Sequence, residues 1–271
     1  MKNALLIVCL YVSLSVPASA GENTPAPAVF TLAYVGGAQQ SALLGVRQGL
    51  DEANLQGQFL GQKYVLEVID PAAAPAADFS RFTAVVAALG KDRLEQIAGL
   101  AGGRAVFNVY AEDDSLREAC ISNLLHVIPG ASMKQTALAQ WKKVHPDSSA
   151  TATAWHHDFV KFAARDLNKR FQKAFNTAMD DHAWAGWAAV KMFSDSIARG
   201  EAGDAAALLD FLKTRLSFDG QKGVDMNFRP TGQLRQTLLI TEQGKLVGEA
   251  PVRGVAPPDD LDSLDTIVCP R

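Results

Sequence analysis

Apolar and polar positions along this chain follow two alternating periods. Val29–Val35 is an unbroken apolar run of the length of a buried strand. Gly36-Gly37 follows. Over Ser41–Asn54 the apolar residues Leu43, Val46, Leu50 and Ala53 then fall three or four apart, the spacing of one helix face. Gly57–Gly61 turns the chain into a second strand, Tyr64–Ile69, and Pro71–Ala77 is a Pro/Ala connector. Phe82–Ala88 predicts a third strand, and Lys91–Ala101 a helix with Leu94, Ile97, Ala98 and Ala101 inward. Ala105–Val109 and Asn123–Ile128 predict two more strands, and Ser132–Lys143 a helix carrying Met133, Ala137, Gln140 and Trp141 on one side. Strand alternating with helix predicts an α/β fold with a doubly wound parallel sheet.

The pattern then changes. Val144–Thr153 is polar, small and interrupted by Pro146, which predicts a linker. Asp181 is placed to cap a helix whose stripe is Ala183, Trp187, Val190, Phe193 and Ile197, with Gly200 just past its end. Trp187 lies in that stripe and Trp184 at its border, so both read as core. Asp204 can cap a further helix bearing Leu208, Phe211, Leu212 and Leu216. Val224, Met226 and Phe228 alternate with Asp225 and Asn227 as in a half-buried strand. Arg229-Pro230-Thr231-Gly232 makes a turn, and Leu234–Ile240 another strand.

Helix, helix, Phe218-Asp219-Gly220, strand, turn, strand resembles the C-terminal part of type I periplasmic solute-binding proteins, the branched-chain amino acid receptors of ABC transporters. A closer resemblance is to the substrate-binding proteins of PQQ-dependent alcohol dehydrogenase systems. It is carried by Phe107-Asn108-Val109, Asp113–Arg117, Ala154-Trp155-His156, Arg170-Phe171, Ala185–Val190, Phe228-Arg229-Pro230 and Gly232–Gln236. The resemblance implies two lobes, a small-molecule ligand between them, hinge closure, and docking on an ABC permease in the inner membrane. It implies a monomer with no enzymatic activity. The expected organisation is residues 21–143 as lobe 1, 144–153 as linker, 154–250 as a lobe 2 lacking most of its parallel sheet, and 251–271 as a tail returning to lobe 1. A non-transport accessory protein derived from such a receptor is the alternative that the shortened lobe suggests.

Residues 1–20 read as a cleaved secretory signal, with Lys2, the apolar run Ala4–Val16 and the small-residue site Ala18-Ser19-Ala20. The expected location is therefore the periplasm, with no membrane insertion. A formal charge of −3, with lysine and arginine spread along the chain, argues against nucleic-acid binding. Cys120 and Cys269 follow the signal; an even pair in an exported chain predicts a disulfide, the alternative being two unpaired thiols.

Ligands of open α/β sheets bind beyond the carboxyl ends of the strands. That rule and the resemblance together select Gly37, Gln39 and Gln40 after the first strand, Gly90 and Lys91 after the third, and Tyr110 and Glu112 after the fourth. Trp155 and His156, at the edge of the second lobe, complete the candidate ligand-binding set. For the loop residues the competing reading is solvated loop, or helix cap for Asp92 and Asp113. The family's amino acid receptors use small hydroxyl residues in the loops after strands three and four. Ala88–Asp92 and Tyr110–Asp114 contain no serine or threonine, so an α-amino acid ligand is not supported. The runs Glu112-Asp113-Asp114 and Asp259–Asp262 read as solvated faces. His156-His157 and His182 form no HxxxH or HExxH pattern, and neighbouring histidines on a helix would point about 100° apart. No metal site is expected, and with no GxSxG or phosphate-binding loop, no cofactor and no catalytic centre either.

Overall fold

The computed structural model describes residues 26–200 and 203–270. The signal expected over residues 1–20, with Cys9 inside it, lies outside the described residues. The first half runs β1 (Ala28–Gly36), α1 (Ser41–Leu60), β2 (Gln62–Ile69), β3 (Ala84–Ala88), α2 (Lys91–Leu100), β4 (Val106–Asn108), α3 (Asp114–Glu118), β5 (Leu124–His126) and α4 (Ala131–Val144). All five strands are parallel, in the order β2-β1-β3-β4-β5. The α/β class and the parallel sheet are as expected.

Side chains alternate across this sheet, as the two-residue period of a strand requires. Leu32, Tyr34, Val86, Phe107, Leu125 and Val127 enter one core. Ala33, Val35, Val85, Ala87, Val106 and Leu124 enter the other, against Leu94, Ile97 and Ala98 of α2.

After α4 come β6 (Thr151–Thr153), α5 (Ala164–Phe175), α6 (Asp181–Ala198), α7 (Ala205–Thr214), β7 (Leu238–Glu242) and β8 (Lys245–Ala250). The expected second lobe starts at Ala154. Its helices, however, share the first core with α1 and the parallel sheet, through Leu167, Phe171, Trp187, Phe193, Leu208 and Phe211. The reason lies in α6, which is buried without a break from Ala183 to Val190 and needs cover on more than one side. Part of that cover is α1, running in the same direction: a Cβ on Gly45 would stand 1.8 Å from the carbonyl oxygen of Ala183, and one on Gly49 2.8 Å from Val190 Cβ.

The second sheet is small and antiparallel, in the order β6-β7-β8. It forms a third core with α4, through Met133, Ala137, Ala152, Leu238, Ile240, Ala250, Val252 and Leu264. The predicted linker therefore ends in a strand, because Thr151–Thr153 has an antiparallel partner in Leu239–Thr241 that no local pattern reveals.

The strand expected at Val224–Phe228 does not form; only single bridges join Phe218 to Met226 and Phe228 to Leu234. Left-handed turns at Gly220 (φ 56°) and Gly223 (φ 72°) fold this segment back. Gln233 then bridges to His126 in parallel and extends the edge of the first sheet. The cap of α6 is Asp180 rather than Asp181, its Oδ1 accepting from Ala183 N at 2.8 Å. Asp204 caps α7 as expected, accepting from Ala207 N at 2.8 Å. Cys120 and Cys269 are joined as a disulfide.

Candidate functional site

The rim formed by the carboxyl ends of the parallel strands divides into two regions. Beyond β1, Gln40 holds its own loop: its Oε1 accepts from Gly37 N at 2.9 Å and from the Tyr34 hydroxyl at 3.0 Å. Gly37 is half-buried, Gln39 and Gly90 are exposed, and Gly90-Lys91 opens α2 with no side-chain cap. Asp92 sits in the first turn of α2, and Asp113, at the cap position of α3, makes no capping hydrogen bond. Gly37, Gln39, Gln40, Gly90 and Lys91 do not line the cavity that Trp155 and His156 border.

The other half of the rim is more closely built. Tyr110 stacks on His182 of α6, ring centroids 4.9 Å apart. Glu112 accepts from Lys134 Nζ at 2.6 Å, and that ammonium stands 3.7 Å from Asp181 Oδ2. Freed from capping, Asp181 accepts from Trp155 N at 2.8 Å and from the Thr153 hydroxyl. Asp114 is not a solvated charge: it takes the Ser132 backbone N–H on both oxygens, at 3.1 and 3.0 Å, and the Ser132 hydroxyl. Four candidate residues from separate loops thus meet through α6 and α4: Tyr110 through His182, Glu112 through Lys134, and Trp155 and His156 directly.

Trp155 and His156 border a cavity of about 360 Å³ lined also by Thr153, His157, Ala178, Met179, Asp180, Asp181 and His182, and Tyr110 and Glu112 stand behind that lining. A larger cavity, about 470 Å³, lies between the last turn of α4 and β8, away from every rim residue. Trp155 belongs mainly to the core: it is fully buried, stacks on Trp184 at 5.8 Å and donates Nε1–H to Asn168 Oδ1 at 2.9 Å. Trp184 and Trp187 are buried as expected. Burial and the neighbouring His157 hold the His156 imidazole below its ordinary pKa, favouring the neutral ring.

His156 and His157 do not lie on a helix. They sit in a turn, with ring centroids 4.2 Å apart, and His156 Nδ1 accepts from Asp158 N at 3.2 Å. Their rings therefore do not splay by the 100° of neighbouring helix positions. Asp180 and His182 were missed as site residues because α6 reads from sequence as a core helix, and only the position of its first turn brings them to the rim. The signal available was the polar start of that helix, Asp180-Asp181-His182, ahead of an otherwise apolar run.

Beneath the rim lies a buried polar layer. Arg117 donates to Gln233 Oε1 at 2.9 Å and to the carbonyls of Ala111, Asp113 and Ile128 at 3.0, 2.9 and 2.9 Å. Gln233 Nε2 donates to the carbonyl of His126 at 3.2 Å. Asn108 Nδ2 and His126 Nδ1 are 3.0 Å apart, and burial keeps His126 neutral, its pKa well below the usual value.

A five-stranded parallel sheet in this order, backed by helices and followed by a smaller antiparallel sheet, is the fold of type I periplasmic binding proteins. No family model and no curated protein matches the chain. Solved structures do. A branched-chain amino acid ABC transporter periplasmic ligand-binding protein from Burkholderia xenovorans superposes with a TM-score of 0.69 at 11% identity, over 81% of this chain and 95% of that one. An ABC transporter substrate-binding protein from Desulfitobacterium hafniense, in complex with Leu, gives 0.67 at 12% identity, over 82% and 99%. A solute-binding protein of an ABC transporter from Rhodopseudomonas palustris, in complex with 3,4-dihydroxybenzoic acid, gives 0.62 at 10% identity, over 80% and 95%. At these identities the likeness establishes the fold.

Proposed function

We propose that this chain is the substrate-binding component of an ABC importer and holds a small polar ligand in the rim cavity at His156 and His182. The observation that carries the reading is the meeting of two sides on one cavity. The parallel sheet contributes Tyr110 and Glu112 beside it, while the start of the second sheet contributes Thr153 and His156. Imidazoles, carboxylates and a phenol suit a ligand rich in hydroxyl groups. The loops after β3 and β4 lack the small hydroxyls that would hold an α-amino acid, which favours a ligand closer in kind to the hydroxylated acid of the Rhodopseudomonas protein than to leucine. The finer assignment, to a system of PQQ-dependent alcohol oxidation in the periplasm, rests on the Trp155-His156, Ala185–Val190 and Phe228–Gln236 stretches and on the signal at residues 1–20. The permease of such an importer would be the protein partner.

One observation favours a second reading, an accessory protein that does not close on a ligand. The small sheet is clasped to α4 and the C-terminal tail: Gln140 accepts from Val252 N at 2.9 Å and donates to the carbonyl of Ser263 at 3.1 Å. Native mass spectrometry of protein purified from the periplasm tests the first reading. A co-purified small organic molecule, lost in H182A and Y110A, upholds it; a bare chain that also fails to compact in small-angle scattering with hydroxylated acids favours the second.

A further inference from the structure

We infer that His156, His157 and Asp158 form a binding site for one divalent transition-metal ion at the mouth of the rim cavity. This does not rest on the importer reading. One ligand atom from each residue lies within 4.8 Å of the other two. His156 Nδ1 is 3.7 Å from one oxygen of Asp158, and His157 Nε2 is 3.7 Å from the other. Around a tetrahedral ion with bonds of about 2.0–2.1 Å, ligand atoms stand roughly 3.4 Å apart, so small side-chain rotations close the set.

Three consecutive residues converge because the backbone turns beneath them. Phe159 N donates to the carbonyl of His156 at 2.9 Å. Asn168 Nδ2 donates to the carbonyls of His157 and Phe159, both at 3.0 Å, and Asn168 is itself held by the buried Trp155. The turn is therefore built before any ion arrives, which reduces the ordering cost of binding. His156 Nδ1 already presents its lone pair, to the N–H of Asp158; an ion would take that hydrogen bond's place.

Two imidazoles and one carboxylate form a donor set suited to zinc, cobalt, nickel or copper rather than to calcium or magnesium. Three protein ligands leave at least one position open, beside the cavity that Asp180 and His182 also line. Arg165, Lys169 and Lys173 line a neighbouring cavity with His157 and oppose a cation there. Asp158 is the formal countercharge within the site, and Asp180 and Asp181 add to it across the cavity.

The test is calorimetric titration of untagged, chelator-stripped full chain with Zn²⁺, together with the visible spectrum of the Co²⁺ form. His157 is 52% exposed at its side chain and Asp158 49%, so H157A and D158N leave the core intact, which matched thermal melts would check. The expected result is one Zn²⁺ per chain, weakened about 10- to 100-fold or more in each variant, with the tetrahedral Co²⁺ bands lost in H157A. Absence of a stoichiometric site, or binding that survives the H156A/H157A double variant, overturns the inference. A chain that takes one Zn²⁺ but carries no organic molecule and does not compact with hydroxylated acids upholds the metal site and overturns the importer reading.

Discussion

Arg117 illustrates how much one side chain does beneath the rim. It is 0% exposed, yet its guanidinium reaches four acceptors, three of them backbone carbonyls. Burial lowers its pKa to about 10, opposed by Asp114 and more distant carboxylates, so it stays charged at neutral pH. R117M removes every donor and leaves those acceptors buried, and is expected to cost about 3–5 kcal/mol in urea denaturation. R117K, unable to reproduce the planar fork, should recover only part of that. Lys222 behaves differently. Its ammonium lies over the Trp184 ring, 3.9 Å from the centroid, and donates to Gln236 Oε1 and the Thr237 carbonyl at 2.9 and 2.8 Å. Burial still pulls its pKa from 10.5 to about 7. Because the folded value lies below the unfolded one, the unfolded chain binds the extra proton between those limits. The contribution of Lys222 to stability therefore rises as pH climbs from about 7 toward 10.5, and is lowest below 7. Relative to K222M, the wild type should gain stability between pH near 6 and pH near 9.5, read as a shift in urea midpoint; a constant difference would contradict the depressed value. Arg117 entered the sequence reading only as the end of the Asp113–Arg117 stretch and Lys222 not at all, since an isolated Arg or Lys reads as surface; each is made central by a partner distant in the chain, Gln233 and Trp184.

At the scale of elements, the pairing of α1 with α6 sets the shape of the first core. A Cβ on Gly186 would stand 2.2 Å from the Ala42 carbonyl oxygen, so the two backbones touch where side chains would normally intervene. G186A must push a backbone away and should cost about 3 kcal/mol. G99A, on α2, meets nothing within 4 Å and should be neutral or slightly stabilising by the same denaturation measurement. The strands and helices of the first half were legible because each carries its own period: β1 was expected at Val29–Val35 and runs Ala28–Gly36, and α4, expected at Ser132–Lys143, runs Ala131–Val144. The failures are those where pairing, not period, decides. β6 is a three-residue strand that exists through β7, and Val224–Phe228 has strand alternation but follows left-handed turns at Gly220 and Gly223. The candidate site divided in the same way. The rule for strand ends brought Tyr110 and Glu112 to the rim, whereas Asp180 and His182 arrive on a helix from far along the sequence.

For the whole molecule, closure of the chain on itself is the governing feature. The disulfide links residues 149 positions apart and holds the tail, in which Asp262 pairs with Arg229 and Arg235, both at 2.7 Å. On the chain-entropy model a loop of this length is worth about 5 kcal/mol at most. C120S/C269S should lower the melting temperature to the value that reducing agent gives the wild type, and reducing agent should then have no effect on the variant. Cysteine arithmetic made this link legible, because the two cysteines beyond the expected signal admit only one intramolecular pairing.

The interlocked helices also bear on the order in which this protein matures. One face of the parallel sheet is roofed in part by residues 181–198, which leave the ribosome long after the strands they cover. Until then Tyr34, Phe107 and Leu125 have only the part of their cover that α1 supplies, and a fragment ending at residue 143 should aggregate rather than fold. A chain built this way depends on being kept from aggregating until nearly all of it has been made.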